Sequence, residues 1–413
     1  MSHEVPDTWS QAPLAELASY TNGRAFKPED WKSSGLPIIR IANMTKEDAL
    51  FNFYEGDDVD DGQLVNNGDI LFSWSATLSI QKWNRGPGIL NQHIFKVVPS
   101  NGVDPDWLLY VLQSEIERLA EQSHGSTMKH IKKGVLKTHV VSVPPLPEQR
   151  QIAEVLSSVD EAIAATRAVI EQTRKVKQGV LERLLTEGIG HTRFKQTDIG
   201  EIPEGWTLSR ISEIASVKGG KRMPAGRPFA DVRTDFPYIR VSDFKNGSVD
   251  PSNLVYVLPE DQKLIARYTI SCRDVYISIA GTIGICGMVP EYLEGAQLTE
   301  NAAKITVKDE EQIIPEFLAL ALSSDIAQRQ IAAAKGVGGG VPKLALFRIE
   351  EIELPVPPAK EQAEIVQHLR AVNDAIAACE LDYEHQVRMK QALMSDLLTG
   401  RKRVTSDLPL AAE

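Results

Sequence analysis

The 413-residue sequence predicts a mixed α/β protein with an internal repeat and pseudo-two-fold character. Two tandem α/β modules are expected, separated by two long antiparallel helices that form an intramolecular coiled coil. Three observations predict this. First, "PPLPEQRQIAEVLSSVDEAI" (residues 144–163) returns as "PPAKEQAEIVQHLRAVNDAI" (357–376). Second, the likeness continues upstream in unchanged order. "VPDTWSQAPLAELASYTNG" (5–23) matches "IPEGWTLSRISEIASVKGG" (202–220), "PIIRIANMT" (37–45) matches "PYIRVSDFK" (237–245), and "NGDILFSWSATLSI" (67–80) matches "CRDVYISIAGTIGI" (272–285). "LNQHIFKV" (90–97) pairs with "LTENAAKI" (298–305), and "PDWLLYVLQS" (105–114) with "PEFLALALSS" (315–324). Third, each proline pair is followed by an apolar ladder spaced alternately by four and three residues. Collinearity over two large units indicates duplication, not a solenoid of many short ones.

The first module is expected over residues 1–147. Its runs "LPIIRIA", "DILFSWSA", "HIFKVV" and "THVVSV" are rich in β-branched and aromatic residues and are bounded by Gly, Pro or Asn, so they read as strands. "PDWLLYVLQSEIERLAEQ" starts at Pro and keeps apolar residues at helical spacing, so it reads as a helix ending near Gly125. A long helix follows over 148–187, because Pro144 and Pro145 disfavour helix before them and Glu148 suits a first turn. Its ladder includes Ile152, Leu156, Val159, Ile163 and Lys177. The second module is expected over 188–359, with "PEFLALALSSDIAQRQIAAA" as one helix ending near Gly336. The second long helix spans 360–400 and carries Ile365, Leu369, Val372, Ile376 and Lys390 on its ladder, and a tail occupies 401–413. Lys177 and Lys390 hold matching places in a polar mid-seam, a device that fixes register and partner choice at some cost in stability. A helix of about 38 residues spans roughly 57 Å, longer than an ordinary domain helix. A helix lying on its own module is the plainer alternative; a ladder held in both copies favours pairing.

Hydrophobic content of 42% with 24% charged residues fits a soluble globular chain, and no run approaches the roughly 18 apolar residues of a membrane span. The start "MSHEVPDTWSQAP" has no signal-peptide character, so a cytoplasmic protein is expected. Cys272, Cys286 and Cys379 lack metal or disulfide spacing. A net charge of −11 argues against nucleic-acid binding by bulk charge. The distribution is uneven, however, because "SHGSTMKHIKKGVLK" (123–137) holds four lysines and no acid.

"PPLPEQRQIAEVL", "PPAKEQAEIV" and "IGEIPEGW" (199–206) resemble the recurring entries to the helices and recognition domains of type I restriction–modification specificity subunits, and the resemblance covers nearly the whole chain. "PPAKEQ" lacks an acid or proline before Glu361, and "VPDTW" is less typical than "IPEGW". The resemblance implies that each module is a target recognition domain reading one half of a bipartite, asymmetric double-stranded DNA sequence. It also implies that the helices set the gap and dock two methyltransferase subunits, which bind S-adenosylmethionine and modify adenine. Restriction subunits that hydrolyse ATP and cut DNA would complete the complex. On this reading the candidate DNA contacts of the first module are Ser126, Thr127, Lys129, Lys132 and Lys133 of one loop, with Gln92 and His93 where the copies differ. In the second module they are Lys335 and Lys343 of the matching loop, Lys218, Lys221, Arg222 and Arg227 of a glycine-bearing cluster, and Asn301. Arg40 and Arg240 occupy matched places after a strand, where they could contact DNA or simply pair with an acid such as Asp243. For each loop lysine a solvated surface turn is the alternative.

No catalytic chemistry is expected in the chain itself. It carries no GxxxxGK[ST] and no HExxH, and neither copy shows the Asn-Pro-Pro-aromatic stretch that an amino-methyltransferase needs. No cofactor or metal is therefore expected. The rival non-enzymatic reading is a coiled-coil scaffold whose modules bind protein or carbohydrate; the acidic balance favours it and the basic loops oppose it.

Overall fold

The computed structural model describes residues 6–56, 58–121, 130–334 and 342–404. The candidates Ser126, Thr127, Lys129 and Lys335 lie outside the described residues. The chain forms two compact units. Unit 1 comprises residues 1–168 and 380–413, and unit 2 comprises residues 169–379. The two long helices run from Leu146 to Thr186 and from Ala359 to Leu397, 41 and 39 residues. Each unit therefore holds one module, the start of one long helix and the end of the other. No described helix is long and apolar enough to cross a membrane.

Unit 1 contains two four-stranded sheets. One is antiparallel in the order Ala18–Asn22, Ile94–Pro99, Ile70–Ser73, Ser79–Lys82. The other runs Asn52–Tyr54, Leu36–Ile39, Gly88–Leu90, Leu64–Val65, with the middle pair parallel. A further antiparallel pair, Ser10–Pro13 with Val140–Val143, ties the start of the module to the segment entering the long helix. Unit 2 repeats all of this. Its antiparallel sheet is Ala215–Gly219, Ala302–Val307, Val275–Ser278, Cys286–Met288. Its mixed sheet is Val255–Tyr256, Pro237–Ile239, Ala296–Leu298, Thr269–Ile270, again with the middle pair parallel. Thr207–Arg210 pairs with Glu353–Val356. Gly23 and Gly220 follow matched strands and lie against the other sheet of their unit. A side chain at either would meet the carbonyl of Leu90 or Thr299 at 2.1 Å, which explains glycine at both.

Helix pairing is antiparallel within each unit. In unit 1, Ile152 and Leu156 near the start of the first long helix share a core with Leu397 and Leu398 at the end of the second. In unit 2, Leu181 and Leu185 share a core with Ile365, Val366 and Leu369. No ladder position is exposed; Val159, Ile163, Val372, Lys177 and Lys390 are half-buried, and Ile376 is buried. Lys390 Nζ lies 2.6 Å from Asp160 Oδ1 and 5.2 Å from the centre of the Tyr110 ring.

The repeated Glu-Gln step closes each unit. Glu148 accepts from Trp9 Nε1 at 3.0 Å and from Arg403 Nη2 at 2.7 Å. Glu361 accepts from Trp206 Nε1 at 3.0 Å, from His191 Nε2 and from the Ile189 amide. Gln149 and Gln362 follow suit: each donates to the carbonyl five residues back, Pro144 or Pro357, and accepts a backbone amide, from Asp104 or Ile314, beside the module helix. The residues just past one long helix thus fasten to the first turn of the other.

The module helix differs between copies. In unit 1 it is continuous from Pro105 to Glu121. In unit 2 the expected single helix is two, Pro315–Ser323 and Asp325–Ala333. Ser324 is extended, and its hydroxyl accepts from the Ala327 amide at 3.3 Å, so a start signal is written into the middle of the run.

Candidate nucleic-acid interface

In each unit an inner strand of the antiparallel sheet ends in a tight turn, and a short bridge joins that turn to the segment beginning at His130 or Lys343. In unit 1 the strand Ile70–Ser73 continues into Trp74 and Ser75, and Ser75 bridges His130. Ile131 N donates to Trp74 O at 2.9 Å, and Ser73 Oγ to Thr77 O at 2.6 Å. In unit 2 Ala280 bridges Lys343, Leu344 N donates to Ile279 O at 2.9 Å, and Ser278 Oγ to Thr282 O at 2.6 Å. Candidates from both copies gather around this frame.

In unit 1, Trp74 stands 5.2 Å from the His93 ring and 5.9 Å from the His130 ring, centre to centre. Gln92 is exposed, and its Nε2 lies 3.2 Å from His93 Nε2. Lys132 and Lys133 are exposed at the start of the short helix Lys133–Thr138, with Lys133 Nζ 5.5 Å from the Phe95 ring centre. This corner is cationic and aromatic.

In unit 2, Lys221, Arg222, Glu300 and Lys343 line one cleft of about 340 Å³ together with Gly219 and Gly220. Arg222 Nε sits 2.5 Å from Glu300 Oε1. Burial pushes the Glu300 carboxyl up, but the Arg222 hydrogen bond and its own backbone amide outweigh this and hold it below the ordinary value. The same hydrogen bond raises Arg222. Asn301 adjoins through its carbonyl, which accepts from Ile279 N and Ala280 N. Lys218 lines a neighbouring cleft with Arg267 and Lys304. Lys221 Nζ lies 5.6 Å from the Tyr268 ring centre.

Three further candidate arginines also have partners within the chain. Arg240 forms a two-pronged pair with the buried Asp243, at 2.9 and 3.2 Å, and also donates to Asn253 O. Arg40, facing Asn43 in the matched place, sends Nη2 to Leu50 O at 3.1 Å and lies 5.9 Å from the Trp31 ring centre. Arg227 Nη1 is 2.8 Å from Asp261 Oδ1, a carboxylate that is fully buried. Sequence reasoning passed over Trp74 and Arg24, and noted His130 only as the histidine of the loop stretch 125–133 without singling it out. Arg24 holds the place of Lys221, since both follow the close-packed glycine and both donate their amide to the matched carbonyl, Leu90 O or Leu298 O. It is anchored at 2.8 Å on Asp58 and lies 4.7 Å from the Tyr54 ring centre.

A family profile described as the type I restriction modification DNA specificity domain matches residues 6–173 and 203–382, one match per copy. The MjaVIII specificity subunit of Methanocaldococcus jannaschii is 27% identical, aligned over 97% of this chain and 94% of that protein. The EcoBI specificity subunit of Escherichia coli is 26% identical over 88% of this chain and 79% of that protein. The fold resembles the crystal structure of the S subunit from M. genitalium, with a TM-score of 0.55 and 15% identity over 98% of this chain and 99% of that one. A second structure, from a study of type I complex assembly, has a TM-score of 0.62 at 16% identity over 97% of this chain and 100% of that one. A doubled module, two long helices joined within each unit and a profile match over both copies agree: the chain belongs to the family of type I restriction–modification DNA specificity subunits.

Proposed function

We propose that the chain reads a bipartite, asymmetric double-stranded DNA target, one recognition domain per half-site, and docks methyltransferase subunits through its long helices. The observation that carries this is the shared frame at the end of that inner strand in each unit, which presents different side chains in the two copies. Closely matched scaffolds with unlike faces suit two unlike half-sites. In the domain over 1–147, Gln92, His93, Lys132 and Lys133 contact DNA, together with Ser126, Thr127 and Lys129 of the adjoining loop. In the domain over 188–359, Lys218, Lys221, Arg222, Asn301 and Lys343 do so, with Lys335 of the matching loop. Arg40, Arg227 and Arg240, each tied to a backbone or carboxylate partner, complete the candidate contacts. Phosphate contacts fix position, and base-edge contacts carry sequence. Adenine methylation and ATP-dependent cleavage belong to the partner subunits, and this chain needs no cofactor for its own part.

The experiment is methylation mapping in cells that supply the modification subunits. Seven residues added to both long helices keep the ladder in phase and lengthen each by about 10.5 Å, roughly three base pairs of B-DNA. The half-sites should stay the same and the gap between them should grow. Changed half-sites with an unchanged gap would falsify the reading.

A further inference from the structure

We infer that Trp74 and His130, acting with His93, determine which half-site the first recognition domain accepts; this rests on the bipartite reading above. The three rings form one cluster, with Trp74 5.2 Å from His93 and 5.9 Å from His130. They sit on the frame that joins the end of the strand Ile70–Ser73 to His130. The scaffold does not require them. In unit 2 the same frame, with the same backbone hydrogen bonds, carries Ile279, Asn301 and Lys343 at the matched places. Trp74 packs against Phe95, 5.7 Å away, at the edge of the unit 1 core where Ile279 is buried in unit 2, so packing accounts for an apolar side chain there. It does not account for an indole flanked by two imidazoles, which a ligand differing between the copies explains.

Two further observations point the same way. Trp74 Nε1 and His93 Nδ1 are buried polar atoms without a partner among the described residues. Unpaired buried polar groups are rare, and each calls for an explanation. The turn beyond Trp74 is also strained: Ala76 adopts φ +58° where the other copy has Gly281 at +74°. A side chain held in the left-handed region clusters at binding sites, where the surroundings over-determine it. The chemistry suits base edges. An indole offers an apolar face to a group such as the thymine methyl, and an imidazole both donates and accepts at a purine or pyrimidine edge. Lys132 and Lys133 beside them supply phosphate contacts that carry no sequence information.

The test uses the full chain with its modification subunits and the target found by methylation mapping. Binding is measured on the intact duplex and on two duplexes with one half-site scrambled in each. For the wild type each scrambling should weaken binding strongly. Replacing Trp74, His93 and His130 by the residues of the other copy (W74I, H93N, H130K) should cut the penalty for one half-site at least tenfold and leave the other penalty intact. His130→Gln alone should cut that same penalty less, and it guards against misfolding because His130 is half-exposed. A chain with a collapsed domain would lose affinity for the intact duplex, and His130→Gln then decides. Unchanged penalties in both variants overturn the inference while leaving the bipartite reading in place. A wild type indifferent to both scramblings overturns the two together.

Discussion

Lys390 in unit 1 and Lys177 in unit 2 occupy the same place in the helix ladder but meet different surroundings. Lys390 lies between Asp160 and the Tyr110 ring, and Tyr110 also donates to Asp160 at 2.8 Å. Burial, and then that hydrogen bond, push the Tyr110 phenol above its ordinary value. The internal alignment puts Asn373 where Asp160 stands and Leu320 where Tyr110 stands. Among the described residues no carboxylate acts on Lys177. Burial, followed by the charge of Arg174, depresses its ammonium below the ordinary lysine value. The units thus share backbone frame, Glu-Gln clamp and a lysine in the seam, yet the charge around that lysine has diverged. Duplication fixed the scaffold and left the polar contacts free to change.

The clamp is the strongest handle on this comparison. Glu148 is buried, and truncating it to Ala removes the acceptor of the buried Trp9 indole, which should cost unit 1 about 1–3 kcal/mol. Glu361→Ala should do the same to unit 2 through Trp206, whose ring is fully buried. Urea unfolding followed by tryptophan fluorescence reads both. If each unit is a cooperative block, Glu148→Ala and Glu361→Ala should move different transitions. A single transition shifted equally by both would show that the compact units are not separate in stability.

The seam lysines come next. Lys390→Met leaves Asp160 without its cation and should lower stability by about 1–2 kcal/mol, a reduced figure because Asp160 is 40% solvent-exposed. Lys177→Met should raise stability by about 0.5 kcal/mol, discounted in the same way for solvent screening. The pH dependence separates the two further. Because the folded-state value of Lys177 is depressed, the unfolded chain binds more protons between that value and the ordinary lysine value. Wild-type stability gains with pH across this alkaline window from Lys177 alone, and Lys177→Met removes that gain. Thermal melts at neutral and alkaline pH check it; a methionine variant whose advantage does not shrink as pH rises would show that Lys177 is not held in a desolvated site.

The repeat made the architecture legible. A collinear second copy places strands and helices with more authority than local propensity, and the four-and-three ladder picked out positions that all lie off the exposed surface. What stayed hidden was long-range or was a difference between copies. Nothing local tells that Arg403 returns to Glu148, or that His191 returns to Glu361, because such pairs lie 255 and 170 residues apart. Ser324 was read as helix interior since the apolar spacing continues through it, yet a serine followed by Asp325 is also a start signal. Trp74 was read only as part of a strand run. The usable signal was its alignment with Ile279, a large aromatic against an aliphatic in an otherwise matched stretch. Arg24 was visible as the partner of Lys221 in the same alignment. Arg240 illustrates the opposite limit: a matched arginine suggested DNA contact as readily as the Asp243 pair that occupies it.

The smallest expected effect probes the turn beside the candidate interface. Gly281 and Ala76 hold the same left-handed place in the two copies, at φ +74° and +58°. No described residue would obstruct a side chain at Gly281, so Gly281→Ala tests backbone strain and should destabilise unit 2 by about 1 kcal/mol. Ala76→Gly relieves the same strain, but it also gives the unfolded chain more freedom, worth about 0.4–1 kcal/mol in the opposite direction. The two contributions nearly cancel, so the unfolding midpoint of unit 1 should barely move. The informative reading is then DNA discrimination. If Ala76 serves to hold Trp74 and His130 in place, Ala76→Gly should leave stability alone and still weaken the penalty for one scrambled half-site. An Ala76→Gly protein identical to the wild type in both respects would reduce the strained turn to an accident of the copy that lost its glycine.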